Sequence, residues 1–117
     1  MALVDAGKNR ILDLGIAAAI THLSLHTNAV GSGSGSEVTG GSPAYARKAA
    51  SWAAAATGAA ALNTQPVFDV PATTVARVGF FSAVTGGTYC GDAELTDEVF
   101  AAQGTYTITS GSIAITG

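Results

Sequence analysis

The second half of the chain breaks into short runs of alternating apolar and polar residues, each closed by a turn rich in glycine or proline. Val67-Phe68-Asp69-Val70 lies between Pro66 and Pro71. Residues 74–84 form a longer run carrying Val75, Val78, Phe80 and Phe81, and residues 88–95 return after Thr85-Gly86-Gly87. Residues 105–109 alternate, Ser110-Gly111 turns, and residues 112–116 alternate again. A two-residue period places side chains on opposite faces of a strand, and glycine-bearing turns bring successive strands back antiparallel. This pattern constrains the fold to a mainly β domain, a small antiparallel β-sandwich or jelly-roll-like unit.

The first half carries other signals. Residues 4–20 read as a short amphipathic helix, with Asp5 as N-cap and with Val4, Ile11, Leu12 and Leu14 on one broad face. Gly15 weakens it and marks an end or a close packing contact. In residues 21–27, Leu23 and Leu25 point one way and His22, Ser24 and His26 the other, a half-buried strand. Residues 28–43 hold a Gly-Ser tract and Gly40-Gly41-Ser42-Pro43, read as a flexible loop unable to build a packed core. Residues 44–62 are rich in alanine, which by propensity favours helix. Alternation around Tyr45 and Arg47, with Trp52 and a Thr57-Gly58 turn, favours two strand pieces, and this is the expectation adopted.

The 117 residues suffice for one domain, 1–117, with a helical segment at 1–20 and the β-sandwich over 21–117. The net charge is −3 and no basic run exceeds two residues, which disfavours nucleic acid as a partner. Charged residues are 11% of the chain, against about 25% in an ordinary domain, so much of the surface is expected to meet protein. Much of the 48% hydrophobic fraction is alanine, so the core should be thin and its stability shared with neighbouring copies. Cys90 is the one cysteine, which excludes an internal disulfide and a cysteine-rich zinc site; mid-strand, it is expected to be a buried, inert thiol. Charges at Asp5, Lys8, Arg10 and Asp13 interrupt any leader-like apolar run, and no stretch approaches a membrane span. The chain is therefore expected to be made soluble in the cytoplasm, without membrane contact.

Motifs for chemistry are absent. The phosphate-loop, dinucleotide and nucleophile-elbow patterns all fail. His22 and His26 would stand about 13 Å apart on a strand, too far to share a metal. No serine is selected as partner for a His22–Asp69 triad. Asp92, Glu94, Asp97 and Glu98 form an acidic cluster without calcium-loop spacing, read as a solvated loop that Arg47-Lys48 of a neighbour could face. Trp52, Phe68, Phe80, Phe81, Tyr89, Phe100 and Tyr106 are expected to fill the core rather than form a sugar-binding platform. No catalytic residue, metal or cofactor is expected.

Two blocks carry a resemblance. Glu37-Val-Thr-Gly-Gly-Ser-Pro-Ala-Tyr-Ala-Arg-Lys48 and Val78-Gly-Phe-Phe-Ser-Ala-Val-Thr-Gly-Gly87, in this order after a short helix and His22-Leu-Ser-Leu-His-Thr27, resemble small virion proteins of actinobacteria-infecting tailed phages. Relatives of that family carry names such as tail fibre or minor tail protein, and the similarity covers nearly the whole chain. It implies strand for residues 44–62 and a non-enzymatic structural component of the virion, multimeric, on the tail tip or tail fibre. The expected partners are copies of itself and other virion proteins, through an interface at Glu37, Tyr45, Arg47 and Lys48 and through exposed strand edges. Two alternatives stand beside it: a capsid decoration protein on the outside of the major capsid shell, and a host-surface carbohydrate-binding module, which needs Trp52 or Tyr45 exposed beside Arg47.

Overall fold

A computed structural model of the chain describes residues 4–27 and 36–114. The fold is mainly β with one N-terminal helix, α1 (Asp5–Ala19). The strands are β1 (His22–His26), β2 (Lys48–Ala49), β3 (Ala59–Ala61), β4 (Val67–Val70), β5 (Thr73–Phe81), β6 (Tyr89–Phe100), β7 (Gly104–Thr107) and β8 (Ser112–Ala114). All pairings are antiparallel: a four-stranded sheet in the order β2-β1-β5-β6, and two ribbons, β3-β8 and β4-β7. The expected stretch at 28–35 and the ends at 1–3 and 115–117 lie outside the described residues.

The core forms where the β4-β7 ribbon packs on the sheet. Leu23 and Leu25 from β1, Val75 and Val78 from β5 and Phe68 and Val70 from β4 meet Val38 and Ile108 there. Burying each such side chain contributes about 1.5–3 kcal/mol. Val38 is 3% exposed and enters the core, which corrects the expectation for residues 28–43 at this one position, residues 39–43 being exposed. One apolar residue in a polar tract suffices, because Val38 N donates to Leu25 O and carries the chain alongside β1.

Strand β1 is also less simple than its alternation suggests. Its polar face is covered too: Ser24 and His26 are both 0% exposed. Gly79, opposite Ser24 on β5, makes room for them. A Cβ there would collide with Ser24 Oγ and stand 2.6 Å from His26 Nε2.

Residues 52–62 form a hairpin around Thr57-Gly58, with bridges Trp52–Leu62 and Ala56–Ala59. The positive φ angles of Thr57 (49°) and Gly58 (78°) match the twist of a tight hairpin, which is how alanine-rich chain is held as strand here. Tertiary contacts supply the rest. Helix α1 lies against this hairpin through Leu12, Ile16 and Ala60, and Asn9 Oδ1 and Asp13 Oδ1 accept hydrogen bonds from Gly58 N and Ala55 N.

The helix differs from expectation in two ways. Val4, not Asp5, is the N-cap and offers no side-chain bond; Asp5 sits in the first turn, where the helix dipole favours a carboxylate. The expected apolar face splits: Leu12 is 5% exposed, whereas Val4, Ile11 and Leu14 are 73%, 51% and 71% exposed. At 100° per residue Leu12 and Ile16 form the inward side, and Val4, Ile11 and Leu14 fall on another. Gly7 and Gly15 interrupt the helix at about 1 kcal/mol each relative to alanine, and no atom of the chain crowds either.

Strand β6 runs to Phe100, so the acidic cluster lies on a strand rather than in a loop. A register irregularity between Val75 and Arg77 lets two residues of β5 span four of β6. β6 ends the sheet, and no described strand pairs with its outer side. Cys90 falls at a second irregularity, between the Phe80–Gly91 and Phe81–Tyr89 pairs, and is exposed, its Sγ 3.5 Å from Ala19 O, which corrects the expectation of a buried thiol.

Candidate functional site

Three of the four expected interface residues converge. Glu37 bridges to His26 at the end of β1, and Thr27 N donates to Ser36 O at 2.9 Å. The chain then reverses, with Tyr45 N donating to Gly40 O at 2.8 Å, and returns as β2 beside the start of β1. Glu37, Tyr45 and Arg47 are thus brought to one end of the sheet, next to the turn joining β5 and β6.

Arg47 is the hub. Its Nε and Nη2 each donate to the Glu37 carboxylate at 3.0 Å, a two-pronged pair that suits the planar guanidinium. Its Nη1 donates to Ala83 O at 3.0 Å and Gly86 O at 2.9 Å. The guanidinium carbon stands 3.7 Å from the centre of the Phe81 ring, a cation–π contact. Side-chain exposure is 6% for Arg47 and 17% for Glu37. The Tyr45 hydroxyl donates to Glu37 Oε2 at 2.8 Å and accepts from Leu25 N at 2.9 Å, while its ring stacks on Phe68. His26 stacks on Phe81 and shares a 2.7 Å hydrogen bond with Ser24 Oγ.

The electrostatics follow. Burial pushes the Glu37 carboxyl up, but the bonds from Arg47 and Tyr45 outweigh it and hold the group below its ordinary value. Burial, reinforced by Glu37, pushes the Tyr45 hydroxyl well above its ordinary value, so it stays a donor.

An open groove of ≈ 350 Å³ runs over this cluster, bordered by Val38, Thr39, Val84 and Thr85. Its floor is the Glu37–Arg47–Tyr45 group, whose polar atoms are already committed to one another. The Ser24–His26 hydrogen bond has the partners of a nucleophile and base, but both are fully buried. The arrangement is therefore a clasp. It fastens the segment after β1 to the β5–β6 turn and shields the polar face of β1.

Lys48 does not join it, lying in β2 opposite Leu23. His22 bonds Thr21 Oγ1 at 2.9 Å, apart from the cluster. Arg47 faces Glu37 rather than the acidic strand; Asp92 is paired with Arg77 at 2.9 Å and also accepts the Tyr89 hydroxyl. Trp52 donates Nε1 to Ile20 O at 3.0 Å, and both Trp52 and Tyr45 are half-buried. Sequence reading missed Ser24, His26 and Phe81 as members of the clasp. Gly79 inside a strand was the available signal, since glycine there marks close approach of another group.

A family model described as "Podophage GP4 fiber I protein gp80" matches residues 7–116, from the first turns of α1 past β8 and through the whole clasp. No curated protein matches the chain. The phage-fibre character that the two sequence blocks imply agrees with this family, which is named from a podophage. With nearly its full length matched and a mainly β fold fastened by the clasp, the chain belongs to the podophage GP4 fiber I protein gp80 family, a family of phage fibre structural proteins.

Proposed function

We propose that this chain is a non-enzymatic structural component of the virion that works as a multimer on the tail tip or tail fibre. The observation that carries the reading is the family match over residues 7–116. The clasp supports it: a rare set of polar groups in a chain poor in charge is spent on fixing a surface loop. Exposed Val4, Ile11 and Leu14 support contact with other protein. The partners in this reading are further copies of the chain and other tail proteins, joined during assembly in the host cytoplasm.

Quantitative mass spectrometry of purified virions, with heads and tails separated, tests it. A scarce protein that copurifies with tails is expected. An abundant protein confined to the head fraction would overturn the reading in favour of capsid decoration.

A further inference from the structure

We propose that His26 makes the clasp proton-sensitive: the segment after β1 closes over a neutral imidazole and loosens when that ring takes up a proton. The inference goes beyond the structural role above and does not depend on where on the particle the chain sits. Histidine is the side chain that titrates near neutral pH, and this one is 0% exposed. Its ring stacks on Phe81 of β5 at 6.2 Å between centres, and its Nε2 lies 2.7 Å from Ser24 Oγ. The packing leaves little room for hydration: a Cβ on Gly79 would stand 2.6 Å from the same nitrogen. A charge placed there gives up its solvation.

The charges around the ring are already matched. From the segment after β1 come Glu37, bridged to His26 in register, and Arg47, whose guanidinium contacts the same Phe81 ring; these two pair with each other. From β5 comes Arg77, opposite His26, which pairs with Asp92 of β6 and stands 4.0 Å from Glu94. The raised Tyr45 and Tyr89 hydroxyls stay protonated throughout the neutral range. His22, also on β1, bonds Thr21 Oγ1, and residues 28–35 carry no titratable side chain. A proton on His26 therefore adds a positive charge beside two guanidinium groups. Glu37 attracts it, but that coupling is the weakest of the influences that hold the Glu37 carboxyl low. Burial and the two arginines outweigh the attraction. The closed clasp resists protonation, and the opened one, where water reaches the ring, accepts it.

Closure is therefore fully favoured above the ordinary imidazole value of about 6.5 and weakens as pH falls below it. This window lies above the range in which the lowered Glu37 carboxyl takes up a proton. Hydrogen exchange of the full chain reads it at the Val38 and Tyr45 amides, which donate to Leu25 O and Gly40 O. With one proton taken up on opening, their protection factors should fall by about tenfold between about pH 7.5 and about pH 5.5. His26→Gln, which keeps a hydrogen-bonding group near Ser24, should lose that dependence, while His22→Asn should retain it. Proton NMR of the wild-type imidazole needs no variant: the His26 titration midpoint should lie below about 6.5. Three results would each overturn the proposal: wild-type protection constant to within about twofold over this interval, a fall that persists in His26→Gln, or a His26 midpoint at or above about 6.5. Any of them leaves the tail location to the virion measurement.

Discussion

Replacing Arg47 by alanine is expected to cost about 3–4 kcal/mol of stability. Removing one partner of a buried ion pair costs about 3–5 kcal/mol, because the other charge is left without compensation. The lower end applies, since the Glu37 side chain keeps 17% exposure and the Tyr45 bond. Loss of the cation over Phe81 adds about 0.5–1 kcal/mol. The carbonyls of Ala83 and Gly86 add little, because they lie at a turn that water reaches. At roughly 4 °C per kcal/mol for a domain of this size, the melting temperature should fall by about 12–16 °C. Urea unfolding followed by circular dichroism gives the free energy directly, with the slope against urea unchanged. Arg47→Lys should recover less than half of the loss, since an ammonium cannot reach the carboxylate and the two carbonyls in one plane. A loss below about 1 kcal/mol, or full recovery by lysine, would refute the clasp as a stabilising device.

Other expectations concern the surroundings of the clasp. Because the native Glu37 carboxyl is held below its ordinary value, its contribution is fully present above about pH 4.3 and is lost as pH falls through the lowered native value; Glu37→Gln should flatten that acid limb of the stability curve. Tyr45 acts at the other end: with its native value raised, stability should decline as pH climbs above about 10, and Tyr45→Phe should lessen that decline in alkaline melts, to which the raised Tyr89 and Tyr106 also contribute. Gly79→Ala should destabilise by about 1–3 kcal/mol in urea titrations, as its methyl collides with Ser24 and His26. Leu12→Ala should cost about 2–4 kcal/mol, whereas Ile11→Ala should change the stability of the dilute chain by less than about 0.5 kcal/mol; equal effects would contradict the inward side assigned to α1.

The parts of the fold legible in the sequence were those set by local periods and turn residues. The strand at Val67–Val70, the β5–β6 hairpin and the Thr57-Gly58 reversal depend on neighbours a few residues away, and alternation with glycine announces them. What stayed hidden depends on long-range packing. Nothing local tells that Val38 enters the core, or that Ser24 and His26 are covered. The helix shows the same limit: its apolar residues were visible, but which of them face inward depends on the hairpin, some 40 residues later. Glu37, Tyr45 and Arg47 were found as a group because they lie within one block. Their bonds to Ala83 and Gly86 were not legible, since backbone carbonyls carry no residue signature.

A sheet that ends on a twelve-residue strand has a rim able to recruit further strands and grow into a ribbon without limit. Along β6 the rim carries Asp92, Glu94, Asp97 and Glu98 and no basic residue. An antiparallel copy centred on Asp97 and Glu98 would set carboxylate against carboxylate, which charge repulsion opposes. The fold thereby carries, along its longest edge, a charge pattern that disfavours strand-to-strand stacking in this register.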